Sequence, residues 1–274
     1  MNEHIETIDI LTHSERTAPV TLISEHDYGP VVLFQGRSIT FVSFGLMVAL
    51  GAIFGLANVW FYLGAYQILP LSSHSSELAL TLAFGAPLSA YIVTRFLDLK
   101  TWLSGEKTFL EYIRTVSFGL WGGLVGGLTI LSGFSLLTNT SLLGLLDAFA
   151  IGVPLAQIFG RLGCLNYGCC HGKECSSVHQ PSIKYFNSQT KVLRYDPELK
   201  GKRLHPTQLY SAGANALVYI LMVTLAIFWE TRSVGMLAGI FMSLYGLKRF
   251  SVEFLRGEFP RIYFKGLTLW QWFS

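Results

Sequence analysis

The sequence predicts an all-α integral membrane protein, a polytopic helical bundle of six spans with a polar cap on one face. Apolar residues make up 51% of the 274 positions and charged residues only 14%, a composition that argues against a soluble domain. Several apolar runs reach the roughly 20 residues that a helix needs to cross a bilayer. Because none of them alternates with a period of two, we expect helices rather than barrel strands.

A polar N-terminal arm, residues 1–38, comes first. It carries Glu3 and Glu6 where a signal peptide has basic residues, and it contains no apolar segment, so we expect it to be retained. Residues 39–274 form one membrane domain, which includes a Cys-rich polar loop at 164–204 that is longer than most connections. Six spans are predicted, at residues 39–65, 78–96, 116–137, 142–159, 209–229 and 234–250.

An even number of spans places most polar segments on one face of the membrane. The arm, the 98–114 connection, the loop and the C-terminal tail share this face, whereas Arg232 lies on the other. The positive-inside rule would put the lysine- and arginine-rich face in the cytoplasm. Arginines that bind a substrate would bias this count, so charge alone does not decide the orientation.

Arg161 and Arg249 lie where the fourth and sixth spans end. A guanidinium is permanently charged and its planar fork fits a phosphate, although an arginine at the end of a span can also snorkel to the interface. Four polar residues at spacings of four, four and three share one helical stripe: Tyr245, Arg249, Glu253 and Arg256. Glu253 can pair with either arginine. A polar stripe should face the bundle interior, so we expect a phospholipid headgroup site.

Further polar residues adjoin these arginines. Gln157 lies four residues before Arg161, on the same helical face. His205 stands before Pro206, which is typical of a helix start, but its imidazole is also suited to act as a general base. Gln208, in the same turn, can donate a hydrogen bond to a bound oxygen.

The four cysteines are clustered in one short stretch, at Cys164, Cys169, Cys170 and Cys175. Disulfides that staple a short loop are one explanation. A zinc or iron site with the nearby His171 is another, although the spacing matches no standard finger or ribbon. A reactive thiol is the third, and the sequence leaves all three open.

Glycines recur in the third span. Gly122, Gly123, Gly126 and Gly127 form two overlapping pairs of small residues four positions apart. Such pairs allow a neighbouring helix or an acyl chain to approach the backbone closely.

Together these segments resemble the bacterial prolipoprotein diacylglyceryl transferase family. The resemblance rests on Gly160-Arg161-Leu162-Gly163 with a closing Gly172, on His205-Pro206-Thr207-Gln208-Leu209-Tyr210, on Arg249-Phe250 with Glu253 and Arg256, and on residues 266–271. It extends from about residue 30 to the end. It implies a multi-pass enzyme of the bacterial plasma (inner) membrane, with seven spans and a site on the extracytoplasmic face.

The resemblance also implies an activity, the transfer of the diacylglyceryl group of phosphatidylglycerol, a membrane lipid, to the lipobox cysteine of a preprolipoprotein or to another thiol acceptor. Arg161 and Arg249 correspond to the family's two essential arginines and would hold the headgroup phosphate, with His205 and Glu253 as further catalytic candidates. We expect no cofactor, no metal ion and no nucleic-acid partner. The expected substrate-binding residues are Gln157, Gly163, Gly172, Gln208, Tyr210, Tyr245, Arg256, Gly122 and Gly123.

The sequence departs from the family pattern at several positions. Within the signature, two asparagines and a glutamate of the family are replaced by Cys164, Tyr167 and Cys169. Further replacements are Trp121 for a histidine, Phe44 for a tyrosine and Ser211 for a glutamate, and Ser274 stands where the family's last span would begin. His171 or His205 would then replace the missing base. Two alternatives follow from these changes, a membrane thiol oxidoreductase that uses the cysteines and a catalytically silent phospholipid-binding protein.

Overall fold

The structure is a computed structural model that describes residues 32–35, 40–66, 68, 120–257 and 263–272, with scattered positions between 77 and 103. Its helices are α1 (Ser43–Ala65), α2 (Leu120–Thr138), α3 (Leu142–Tyr167), α4 (Lys191–Tyr195), α5 (Thr207–Phe228), α6 (Met236–Glu253) and α7 (Leu269–Trp272). Two antiparallel strand pairs flank them, β1 (Val32–Gln35) with β2 (Thr40–Val42), and β3 (Tyr263–Phe264) with β4 (Leu267–Thr268). A short 3-10 helix covers Pro197–Leu199.

The long helices confirm the predicted all-α membrane protein. Helices α1, α3 and α5 are each long and apolar enough to cross a membrane, and the apolar part of α2 is shorter. Helix α6 coincides with the predicted sixth span, and the described positions between 77 and 103 are helical. The number of spans stays a prediction, as does the extent of the N-terminal arm, most of which lies outside the described residues.

One helix boundary differs from the prediction in a way that affects the site. The fourth span was predicted to end at residue 159, whereas α3 continues to Tyr167. Cys164 is therefore helical and does not lie in the loop. The apolar pattern ends earlier because it reports burial in lipid, while a backbone helix can continue beyond the apolar run.

The described chain forms two compact units, and the first, here called the apolar unit, comprises Val48–Gly160 and Gly213–Gly246. Its helices α1 and α3 are in close contact. A Cβ added at Gly152 would lie 2.5 Å from the Gly55 carbonyl oxygen, and one added at Gly51 would lie 2.7 Å from the Ala156 carbonyl oxygen. The core residues are Val59, Tyr62, Leu63, Leu78, Leu131, Phe134, Leu145, Ala148, Ala150, Ile151, Met222, Ala226 and Leu237.

Asp147 fixes the start of α6 within this unit. Its two carboxylate oxygens accept hydrogen bonds from the backbone N–H groups of Gly235 (2.7 Å) and Ala238 (2.8 Å). A carboxylate at a helix N-terminus satisfies unpaired donors and complements the helix dipole. Among the glycines of α2, Gly126 is in close contact with Ser89, as expected for a packing glycine.

The second unit, here called the loop unit, comprises Met1–Met47, Arg161–Ala212 and Leu247–Ser274. It has a separate small core, made of Leu165, Ile183, Tyr185, Val192, Leu193 and Leu204. The Tyr185 hydroxyl is buried and donates a hydrogen bond to the Leu165 carbonyl oxygen (3.0 Å). The predicted polar loop is thus a folded cap that holds the ends of α3, α5 and α6.

Candidate functional site

The end of α6 carries a buried group of charges. The Glu253 carboxylate lies 3.3 Å from the Arg249 guanidinium and 3.6 Å from that of Arg256. Only 3% of the Glu253 side chain is exposed, against 13% for Arg249 and 16% for Arg256. The predicted pairing of Glu253 with both arginines is therefore observed. However, α6 ends at Glu253, so Arg256 lies beyond the helix and is not part of a helical stripe.

Two more basic side chains lie beside this group. Lys248, half-buried, is close enough to Arg161 and Arg249 to interact electrostatically with both. The Cys170 thiol interacts in the same way with Arg161 and Arg256. We call Arg161, Lys248, Arg249 and Arg256 the cation cluster. Glu253 pairs with two of its members, and a cluster of basic side chains attracts an anion.

Lys248 is a site residue that the sequence analysis did not single out. It lies directly before Arg249 in a helix that is otherwise largely apolar. A second charge at this depth of a span is costly unless it faces a polar interior. The Lys-Arg pair was therefore the signal that could have identified it.

Gly172 lies where three chain segments cross. Its N–H donates a hydrogen bond to the His205 carbonyl oxygen (3.0 Å), and the Gly257 N–H donates to the His171 carbonyl oxygen (2.9 Å). A Cβ at Gly172 would overlap the His205 backbone, and one at Gly257 would overlap the Gly172 carbonyl. The glycines allow the loop to bind both the start of α5 and the residues after α6.

His205 is buried beside this crossing. Its backbone N–H donates a hydrogen bond to the Lys173 carbonyl oxygen (2.9 Å). In the imidazole ring, Nδ1 lies 3.5 Å from the Tyr210 hydroxyl. The Tyr210 hydroxyl in turn donates to the Pro181 carbonyl oxygen (3.4 Å). Burial lowers the pKa of the His205 imidazole, so the ring is neutral and able to accept a proton near neutral pH.

The first turn of α5 holds the cysteine turn in place. Gln208 donates a hydrogen bond from Nε2 to the Cys169 carbonyl oxygen (2.8 Å), and the Thr207 hydroxyl donates to the Cys170 carbonyl oxygen (2.6 Å). Gln208 is fully buried, and its Oε1 has no hydrogen-bond partner among the described residues. Gln208, which was expected to donate a hydrogen bond to a substrate oxygen, thus donates one to the backbone of the loop instead.

Gly163 permits a close contact between α3 and the start of α1. A Cβ at this position would lie 3.1 Å from both Met47 and the Phe44 ring. The rings of Phe44 and Tyr167 have centroids 5.5 Å apart, and Arg194 donates a hydrogen bond to the Tyr167 hydroxyl (2.9 Å). Phe44 and Tyr167, two positions that the sequence analysis expects to depart from the family pattern, are therefore in contact with each other.

The remaining expected site residues lie in the apolar unit. Gln157 precedes Arg161 by one turn of α3, Tyr245 precedes Arg249 by one turn of α6, and both are partly buried. Each therefore shares the helical face of its arginine. For Gly122 and Gly123 the structure describes only their place in the first turn of α2.

Three of the four cysteines converge next to the cation cluster. The sulfur atoms of Cys164, Cys169 and Cys170 all lie within 4.8 Å of one another. None of the four cysteines forms a disulfide, so the structure contains none of the disulfides considered above. Hydrogen bonds from Cys164 and Cys169 and the charges of Arg161 and Arg256 lower the pKa of the Cys170 thiol.

Comparison with known proteins shows to which family the chain is similar. The family model described as prolipoprotein diacylglyceryl transferase matches residues 31–274. The phosphatidylglycerol–prolipoprotein diacylglyceryl transferase of Clostridium tetani is 27% identical over 241 residues, 84% of this chain and 86% of the relative. That of Blochmanniella floridana is 29% identical over 247 residues, 84% of each chain.

A shorter match has higher identity. The phosphatidylglycerol–prolipoprotein diacylglyceryl transferase 2 of Clostridium perfringens is 32% identical over 147 residues, 53% of this chain and 52% of the relative. The family model spans nearly the whole chain, including the signature at Arg161 and the charged end of α6. This protein therefore belongs to the prolipoprotein diacylglyceryl transferase family.

Proposed function

We propose that this protein transfers the diacylglyceryl group of phosphatidylglycerol to a cysteine thiol of a prolipoprotein, and that Arg161 and Arg249 hold the headgroup phosphate. The chain belongs to a family of transferases, and the relatives described above are named for this reaction. The observation that supports the phosphate site is the cation cluster, in which a buried carboxylate pairs with the guanidiniums of Arg249 and Arg256 and in which Arg161 lies close by.

The charge of the cluster matches the charge change of the reaction. The acceptor thiolate forms a carbon–sulfur bond at the glyceryl carbon, and the bond between that carbon and the phosphate oxygen breaks. The electron pair leaves with glycerol phosphate, so a phosphodiester with one negative charge becomes a monoester with two. Cations that already lie around the phosphate stabilise the developing charge more than the starting one.

The buried Glu253 orients the guanidiniums of Arg249 and Arg256 for this task. Because its carboxylate is fixed within 3.3 Å and 3.6 Å of them, both forks are positioned before the lipid binds. Preorganised donors need no rearrangement as charge develops. The arginines present planar forks that can bind two phosphate oxygens each.

The site belongs at the extracytoplasmic face of the bacterial inner membrane in this proposal. The cation cluster lies at the ends of α3 and α6, where a phospholipid headgroup would meet the protein. A substrate prolipoprotein would present its lipobox cysteine at the same level. His205, neutral because of its lowered pKa, is available as a proton acceptor at this level.

The test is turnover in liposomes of phosphatidylglycerol with a lipobox peptide, scored by mass spectrometry for the diacylglyceryl thioether. Wild-type protein should form product, and Arg249→Ala should lower kcat by about 10²- to 10³-fold, the typical effect of one lost electrostatic donor. Arg249→Lys should recover only part of the rate because the planar fork is missing.

Arg232→Ala is the matched control. Arg232 is also held by the fold, through a hydrogen bond to the Tyr62 hydroxyl (2.8 Å) and a position 4.7 Å over the Tyr66 ring, but it lies in the apolar unit. It should retain wild-type turnover. Equal rates for wild type and Arg249→Ala would contradict the proposal. Lipid binding without product would indicate a silent phospholipid-binding protein, and redox-dependent thiol labelling without product would indicate an oxidoreductase.

A further inference from the structure

The arrangement of three thiols at the end of α3 depends on an unusual turn. The N–H groups of Gly168 and Cys169 both donate hydrogen bonds to the Cys164 carbonyl oxygen (3.0 and 3.2 Å). Cys170 then adopts a φ of +57°, a left-handed conformation that is uncommon and costly for a residue with a Cβ. This backbone brings its sulfur back toward those of Cys164 and Cys169.

The turn is also held from outside. Hydrogen bonds from Gln208 and Thr207 fix the carbonyl groups of Cys169 and Cys170, at 2.8 and 2.6 Å. Both donors are buried. Outer contacts of this kind orient the ligands of metal sites and are worth tenfold or more in affinity. Three converging thiols on a backbone fixed in this way form a preorganised set of soft ligands.

The sulfur separations fit a metal ion. Zinc binds thiolates at about 2.3 Å, so two sulfurs of a tetrahedral site lie about 3.8 Å apart. The three sulfurs here lie within 4.8 Å of one another, and small side-chain rotations would bring them to that spacing. A bond between the adjacent Cys169 and Cys170 would instead be strained relative to ordinary disulfide geometry.

We propose that Cys164, Cys169 and Cys170 bind one zinc-class ion and leave its fourth coordination position open for the acceptor thiol. Three protein ligands with one open position are typical of catalytic rather than structural zinc sites. This inference rests on the proposed function and names how the acceptor is activated. It departs from our sequence-based expectation that no metal ion is bound.

The position of the site explains how the chain replaces the family's missing residues. Cys164 and Cys169 stand where the family pattern has an asparagine and a glutamate. A thiol that coordinates zinc is deprotonated outright, so the metal does the work of the absent base. The charges of Arg161 and Arg256, which interact with Cys170, offset the negative charge of three thiolates and a fourth on one divalent ion.

The chemical step balances without a redox partner. The acceptor thiol releases its proton to solvent when it coordinates the metal. The bound thiolate then attacks the glyceryl carbon, the carbon–sulfur bond forms, and the carbon–oxygen bond to phosphate breaks with its electron pair on glycerol phosphate. The product is a neutral thioether, a weaker ligand than a thiolate, so it leaves and reopens the fourth position.

Metal content is the first measurement. Full-length protein purified without chelator, or reloaded with Zn²⁺, should contain one equivalent of metal per chain, and Co²⁺ should give the thiolate charge-transfer absorption of a tetrahedral site. Cys170→Ser and Cys164→Ser should weaken Zn²⁺ binding by at least about 100-fold, more than the loss of an outer contact. Retained phosphatidylglycerol binding would show that these variants are folded.

Cys175→Ser is the matched control. Cys175 lies in the same loop, but its thiol donates a hydrogen bond to the Pro181 carbonyl oxygen (3.7 Å) and it is not part of the sulfur cluster. It should keep one equivalent of zinc. Wild-type protein without stoichiometric zinc and without cobalt absorption would overturn the inference, as would unchanged affinity in both serine variants.

Turnover of the same samples separates this inference from the proposed function. Chelator-treated protein should lose at least about 100-fold in rate and regain it with Zn²⁺. Full turnover by zinc-free protein would overturn the metal site and leave the transferase standing. Bound zinc, with a cobalt spectrum that shifts on adding lipobox peptide but no product in any condition, would overturn the transferase and leave the metal site standing.

Discussion

Glu253 joins two arginines through one buried carboxylate. Replacing it with Gln removes the negative charge and leaves Arg249 and Arg256 as neighbouring buried cations. Breaking a buried pair on one side typically costs about 3–5 kcal/mol. We therefore expect Glu253→Gln to lower the free energy of unfolding by about 3 kcal/mol, measured by denaturant unfolding in detergent micelles.

Glu174→Gln is the control for this change. Glu174 lies 3.4 Å from Lys202, but both side chains are about half exposed, at 56% and 43%. An exposed pair contributes at most about 1 kcal/mol, so this variant should unfold close to wild type. Equal stability of the two variants would show that Glu253 does not hold the arginines.

We expect the stability of the folded protein to depend on pH through the imidazole of His205. Burial lowers the pKa of its imidazole in the folded protein, so the unfolded chain binds the proton more readily. Stability from this group is therefore full above the ordinary pKa of about 6.5 and falls as the pH drops through it. The melting temperature should decrease from about pH 7.5 to about pH 5.5, and His205→Gln should reduce that decrease.

His179→Gln provides the comparison, since His179 is an exposed histidine of the same loop. It should melt with the same pH dependence as wild type. An identical pH dependence for wild type and His205→Gln would assign the acid sensitivity to other groups.

The pairing of Arg249 with Glu253 was predictable because helical spacing alone places both on one face of α6, whereas Arg256 reaches the same carboxylate from beyond the end of the helix. The thiol cluster was not, because it depends on the left-handed Cys170 and on hydrogen bonds from α5, far away in sequence. The contact between the rings of Phe44 and Tyr167 could not be predicted from the sequence either. The sequence analysis treated the two residues as separate departures from the family pattern, and only the fold shows that their rings pack together.

Helices α1 and α3 approach closely enough to exclude a side chain at Gly152. A Cβ there would lie 2.5 Å from the Gly55 carbonyl oxygen and 2.6 Å from Val59. We expect Gly152→Ala to destabilise the protein by about 1–3 kcal/mol, the usual effect of overpacking, measured as a shift of the melting curve in detergent.

Gly160→Ala is the matched control, because it makes the same substitution in α3 at a position that is not in contact with α1. Among the described residues, no atom outside the adjacent backbone of α3 lies within 4 Å of the added Cβ, and alanine favours a helix over glycine by about 0.5–1 kcal/mol. This variant should be as stable as wild type or more so. A loss equal to that of Gly152→Ala would mean that the close contact between the helices does not limit stability.

At the level of elements, the apolar runs predicted the long helices because lipid burial requires apolar residues. The glycines predicted to matter were those of α2, yet the described α1–α3 contact uses Gly51, Gly55 and Gly152. Gly51 and Gly55 are four residues apart, the same spacing as the glycine pairs of α2, and nothing in the sequence ranks one helix pair above another. The tight contact follows from which helices are neighbours, a property of the assembled fold.

The orientation of the whole molecule can be tested by proteolysis. Lys200 and Lys202 are exposed in the loop unit, and trypsin cleaves after exposed lysines. Trypsin added to intact spheroplasts should cut this loop if the site faces outward, as the family implies, with fragments resolved by mass spectrometry. Cleavage in inverted vesicles only would support the orientation that the positive-inside rule predicts, with the site in the cytoplasm.

The crossing at Gly172 has a consequence for biosynthesis. It joins the His171 carbonyl to the Gly257 amide and the Lys173 amide to the Leu255 carbonyl. A ribosome releases the first partner of each pair long before the second, so neither bond can form until translation has passed the last long helix. The nascent protein can therefore enter the bilayer as helices, but it becomes able to recognise a lipid only after the chain has been synthesised beyond Gly257.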